Sequence, residues 1–123
     1  MKKPNSRLEV EEPLKVTIVL GAEVSLLGKR GPRARPIDVR PVQRPATRGN
    51  RIVFHLESDD ARTFTLIFPD GSPFAFDEVH ARGRASRPCT VTTSEKRSFH
   101  YYVAIATHNA IHLIASCPEI IIR

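Results

Sequence analysis

The amino-acid sequence predicts an all-β sandwich, and three observations carry the prediction. Five segments alternate apolar and polar residues with period two, the mark of half-buried strands. Ten prolines and six glycines in 123 residues supply frequent chain reversals. Nowhere does a 3.6-residue apolar stripe persist long enough to make a helix. The length fits one domain (residues 1–123), large enough to bury a core without disulfide or metal staples.

The first alternating segment sets Leu14, Val16, Ile18 and Leu20 against Lys15, Thr17 and Val19. Gly21 to Gly28 is open between a short strand and a helical turn. Ile52, Phe54 and Leu56 then alternate with Val53, His55 and Glu57, and Phe64, Leu66 and Phe68 with Thr63, Thr65 and Ile67. Ser58-Asp59-Asp60-Ala61 supplies turn residues between these two runs, so a hairpin is predicted there. Pro69 to Pro73 breaks the chain, and Phe76 to Arg82 is read as closing one helical turn. A basic loop, Arg82 to Arg87, leads into a strand from Cys89 to Thr93. The last hairpin sets Phe99, Tyr101, Val103 and Ile105 on one face. A loop of about three residues would put Ile111, Leu113 and Ala115 on that same face. Glu119-Ile120-Ile121-Ile122-Arg123 follows as a strand. Ile120, Ile121 and Ile122 either complete a sheet or form an edge-strand interface with another chain. The predicted core is Leu14, Val16, Ile18, Ile52, Phe54, Leu56, Phe64, Leu66, Phe68, Phe99, Tyr101, Val103, Ile105 and Leu113.

Charge is distributed unevenly around this pattern. Residues 29–51 hold eight basic residues against one acid, while the rest of the chain has 11 basic and 12 acidic residues. The eight are Lys29, Arg30, Arg33, Arg35, Arg40, Arg44, Arg48 and Arg51. Pro32, Pro36, Pro41 and Pro45 recur among them, which excludes a helix or a central strand. The segment reads as an extended basic insert outside the strands, and its cations are the candidate contact residues for a partner or a polyanion. Arginine dominates over lysine, which suits bidentate recognition of carboxylate or phosphate. No aromatic residue lies between Lys29 and Arg51, so the insert offers no base-stacking platform.

The closing pattern resembles a known family. Phe99-His100-Tyr101-Tyr102-Val103, a polar turn, and Cys117-Pro118-Glu119-Ile120-Ile121-Ile122 look like the end of small bacterial cupredoxin-like β-sandwich proteins of uncharacterised function. Phe68-Pro69-Asp70-Gly71-Ser72-Pro73-Phe74 after the hairpin fits the same layout, and Cys117 stands where that pattern has Asp. The periodic segments and turns give six to eight strands, and together with the resemblance they lead to a Greek-key β-sandwich, cupredoxin-like or immunoglobulin-like, as the expected fold. The resemblance implies almost nothing about function.

No catalytic or cofactor constellation is found in the sequence. Blue copper needs two His, one Cys and usually a Met close together. Here no His follows Cys117, and the sole methionine is Met1. His108 and His112 have the spacing of zinc ligands on a helix, but the segment reads His-Asn-Ala-Ile-His, without the glutamate and in strand context. A thiol nucleophile would need Cys89 or Cys117 beside a His. The predicted register instead turns Cys117 to the core side, opposite Tyr101. No cofactor, metal or enzymatic activity is therefore expected. The sequence favours a non-catalytic interaction module binding another protein or itself, with sequence-independent nucleic-acid binding as the alternative. Met1 to Pro13 is an N-terminal arm that ends in an acidic run, with Glu9, Glu11 and Glu12 where the apolar run of a signal peptide would stand. No run approaches the roughly 20 apolar residues of a membrane span. A cytoplasmic protein with reduced thiols and no membrane contact is the expectation.

Overall fold

The computed structural model describes residues 12–22, 24, 25 and 33–123. Lys29, Arg30 and the N-terminal arm up to residue 11 lie outside the described residues. Thirteen strands and no helix run through the described part. In chain order these are β1 Leu14–Leu20, β2 Val24–Ser25, β3 Arg33–Ala34, β4 Ile37–Arg40, β5 Gln43–Ala46, β6 Arg51–Glu57 and β7 Ala61–Ile67. There follow β8 Glu78–Arg82, β9 Cys89–Thr90, β10 Ser98–His100, β11 Tyr102–Thr107, β12 Ile111–Leu113 and β13 Glu119–Ile122.

Two layers enclose the core. The first is a sheet in the order β9-β6-β1-β4, with β1 parallel to β6 and antiparallel to β4. In the second, β10 and β11 are separated only by Tyr101 and run on as one strand. One side of that strand carries β7 and then β8; the other carries β12 and, further along, β13, with β5 parallel beyond β13. Between Ala104↔Leu113 and His100↔Glu119, four positions on one strand match six on the other, so the ladder is interrupted between β12 and β13. β2 and β3 form a separate two-stranded ribbon.

The period-two residues fill the space between the layers. Val16, Ile18, Ile52, Phe54 and Leu56 from the first face Phe64, Leu66, Phe99, Val103 and Ile105 from the second, all buried. Near the centre Tyr101 lies 5.8 Å from Phe54 and 5.1 Å from Phe68, ring centre to ring centre, with Phe74 edge-on to both phenylalanines. Aromatic rings of this kind contribute large apolar area together with favourable edge geometry.

Four expectations are corrected, and a fifth is decided between its two alternatives. The Ile52–Phe68 stretch is not a hairpin: β6 pairs with β1 and β9, β7 with β11 and β8, so Ser58-Asp59-Asp60 carries the chain from one layer to the other. Turn residues report a reversal, not whether the flanking strands pair or face each other. Residues 78–82 form β8 instead of a helical turn, because Val79 and Ala81 point into the core while Glu78, His80 and Arg82 stay outside.

The basic segment is not an appended insert either. It contains β3, β4, β5 and the first residue of β6, and β4 and β5 are edge strands of the two layers. Glu119 N–H donates to the Val42 carbonyl and Arg123 N–H to that of Ala46, so the β5 ladder uses even-numbered residues. Pro45 therefore turns its missing donor to the open side, where proline is tolerated in a sheet.

In the last hairpin four residues, 107–110, separate the last pair, Ala106↔Ile111, and the Thr107 N–H donates to the Ala110 carbonyl at 2.9 Å. The added residue turns Ile111 and Leu113 to the outer face, so Leu113 leaves the predicted core, and Cys117 is exposed rather than opposite Tyr101. Of the two outcomes expected for Ile120, Ile121 and Ile122, the structure has the first: β13 completes a sheet between β10 and β5, with Ile120 and Ile122 buried, and is not an edge strand.

Candidate interaction surfaces

The cations of the basic segment are dispersed by the fold. Arg35 is largely buried: its Nε donates to the Gly21 carbonyl at 2.8 Å and its NH1 meets Asp60 Oδ2 at 2.6 Å. It thereby ties the approach to β4 onto the corner between β6 and β7. The Arg35 hydrogen bond, aided by the Ser58 hydroxyl, lowers the Asp60 carboxyl from 3.8 to about 2. Arg40 pairs with Asp38 across an exposed stretch of β4 at 2.7 Å. The Arg44 guanidinium turns back to the Pro45 carbonyl, and Arg48 is exposed at the turn that Gly49 completes at φ 93°. Arg33 stands in β3, and Arg51 is half-buried at the start of β6. Arg35, Arg40, Arg44, Arg48 and Arg51 thus stand on strands of both layers and on their connections.

The histidines and cysteines are also separated. His108 and His112 border one hollow of about 510 Å³ with Arg35 and Asp60. Among the described residues no group of three His, Cys, Asp or Glu side chains is placed to hold a metal ion. His100 faces Asp70 at 3.1 Å, and His80 faces Glu78 at 2.8 Å. Cys89 is buried, its thiol donating to the Arg87 carbonyl, and burial raises its pKa, which disfavours the nucleophilic thiolate.

Two surfaces that the sequence reading missed stand out instead. The first is the outer face of the second layer. Ile67 and Tyr102 are directly paired there, 40% and 45% exposed. Beside them Ile111 and Leu113 stand opposite the small side chains of Ala106 and Ala104 and are 72% and 73% exposed. The signal was present: Ile111 and Leu113 alternate with His112, and only the loop length decides which set turns outward.

The second is a groove of about 710 Å³ between β8, the last strand of the second layer, and residues 85–89, which run along the edge of the first. Phe76, Val79, Ala81 and Pro88 give it apolar walls, and His80, Arg82 and Arg87 give it a polar rim. Its sequence signal was the alternation of residues 78–82.

No model of a known protein family matches this chain, and no curated protein matches it.

Proposed function

We propose that the chain is a non-catalytic interaction module that associates with a second copy of itself through β12 and the outer face beside it. One observation carries the reading: Ile111 and Leu113, two large aliphatic residues, stand nearly three-quarters exposed on a strand whose far side is unpaired among the described residues. Leaving such side chains in water forgoes roughly 1.5–3 kcal/mol each, and exposed apolar edge strands are sites of chain-to-chain pairing.

The backbone supports self-pairing. Thr107 N–H reaches the Ala110 carbonyl and Ile114 N–H the Val103 carbonyl, so residues 110, 112 and 114 bond to β11. The amide groups of Ile111 and Leu113 are directed to the open side. A two-fold axis at His112 would set Ile111 of each copy opposite Leu113 of the other, an isologous contact. It would also extend the apolar face across both copies. The formal charge of +6 opposes association, but its repulsion is screened beyond about 8 Å at physiological salt. The dispersal of the arginines gives the polyanion reading less support than this face.

Sedimentation equilibrium tests the proposal. The parent is expected to dimerise at concentrations near ~100 μM, about 5–6 kcal/mol of association free energy. Ile111→Ser with Leu113→Ser is expected to leave it monomeric with its unfolding midpoint unchanged. A parent that stays monomeric throughout, or a double variant that dimerises equally well, overturns the assignment.

A further inference from the structure

We infer that the groove between β8 and residues 85–89 is a docking site for an extended acidic peptide of a partner protein, which adds to β8 as a further strand. The site is on β8, independent of the β12 surface.

The ladder shows which backbone groups are free. Phe68 N–H donates to the Asp77 carbonyl and Gly83 N–H to the Arg62 carbonyl, at 2.9 and 3.0 Å. In an antiparallel pair such bonds recur at every second residue, so residues 77, 79, 81 and 83 bond to β7. The N–H and C=O groups of Glu78, His80 and Arg82 are therefore aimed away from β7, along the side on which the groove opens. No strand pairs with that edge among the described residues. The opposite wall is built similarly. Leu56 N–H reaches the Arg84 carbonyl and Ser86 N–H the Phe54 carbonyl, so Ala85 turns its own amide groups away from β6. An extended peptide brings a row of donors and acceptors at the spacing of the β8 groups; a DNA backbone brings acceptors only.

The charge of the rim selects the peptide. Arg82 and Arg87 are exposed and have no acidic partner among the described residues, and Arg84 stands exposed in the same loop. The one carboxylate of the groove, Glu78, is engaged by His80. Acidic side chains on an added strand would thus meet unpaired guanidinium groups. Phe76, stacked on Phe74 at 5.8 Å and 44% exposed, offers an apolar surface at one end for a residue between the acids.

The probe is a fluorescein-labelled peptide of about eight alternating Glu and Val residues, a common strand length, read by fluorescence anisotropy. The receptor is the full chain carrying Ile111→Ser and Leu113→Ser, so that self-association through β12 does not enter the readout. Saturable binding that weakens with salt is expected. Arg82→Glu with Arg87→Glu should weaken it about tenfold or more with an unchanged unfolding midpoint. N-methylating the Glu amides or the Val amides should give unequal results, one set abolishing binding and the other weakening it far less, because a strand presents one alternate set of amides to the whole of β8 and the other set only to Ala85. Equal tolerance of both methylated peptides overturns the inference, as does the absence of saturation below about 1 mM. So does a single-stranded oligonucleotide that displaces the probe better than unlabelled peptide.

Discussion

The two flanks of the sandwich solve the same problem in opposite ways. On one, the chain passes from β4, the edge of the first layer, to β5, the edge of the second, through Pro41 and Val42 alone. Both strands are four residues long, Asp38 and Arg40 place charge on β4, and Pro36, Pro41 and Pro45 interrupt the donors. Short strands, charge and proline are the features that keep a sheet edge from recruiting another strand. On the other flank the chain leaves β8 at Gly83, in a left-handed conformation at φ 87°, and joins the first layer at residues 84–86. No proline occurs between β8 and Pro88, and a groove separates the two edges. One flank is sealed by sequence; the other is left able to accept a strand.

The largest expected effect lies on the sealed flank. Ile120 is fully buried in β13, between β10 and β5, and closes the core beneath that flank. Ile120→Ala should cost about 2–5 kcal/mol, the lost burial plus the cavity left behind, read from the urea midpoint. A cost below about 1 kcal/mol would mean that β13 is peripheral and the flank is not sealed by it.

Amide hydrogen exchange sharpens the contrast residue by residue. Val79 and Ala81 N–H groups bond to β7 and should exchange about tenfold or more slowly than those of Glu78, His80 and Arg82. On β5, Arg44 and Ala46 should be protected relative to Gln43. Uniform protection along β8 would show that its outer edge is already covered, and would remove the distinction between the flanks.

The longer strands β1, β6, β7 and β11 and their inward faces were legible in the sequence because burial imposes period two: of the predicted core only Leu14, half-buried, and Leu113, exposed, depart from it. Pairing was not legible. Ser58-Asp59-Asp60 looks the same whether it closes a hairpin or crosses between layers. Arginine and proline between residues 33 and 51 gave composition but not position, since an edge strand and a loop tolerate the same residues. The open groove depends on two edges distant in the fold and has no local signature beyond the alternation of residues 78–82.

Acid should next probe the corner where Arg35 holds Asp60. The Asp60 pKa is about 2 in the folded chain against an ordinary 3.8. Because the folded value is the lower one, the contribution to stability is present above about 3.8 and lost as pH falls through about 2. Arg35→Gln should remove most of this acid sensitivity, the Ser58 hydrogen bond keeping the rest, leaving a flatter unfolding midpoint across that window, and added salt should shrink the difference between the two proteins. Identical acid profiles for parent and variant would show that the ion pair does not hold the approach to β4 in solution.

The smallest effect belongs to neither flank. Tyr101, fully buried where β10 meets β11, has a hydroxyl with no hydrogen-bond partner among the described residues, and burial raises its pKa. Its ring provides the contacts to Phe54 and Phe68, which phenylalanine would retain. A desolvated hydroxyl without a partner is a cost that folding carries, so removing it should help or do nothing. Tyr101→Phe is expected to leave stability unchanged or raise it by about 1 kcal/mol, measured by urea unfolding. Because the residue sits midway between the flanks, exchange at β5 and β8 should not respond. A loss of more than about 1 kcal/mol would mean that the hydroxyl has a partner in solution. If protection then fell on one flank only, that partner would belong to that flank, and the layers would be coupled through the core more tightly than their separate edges imply.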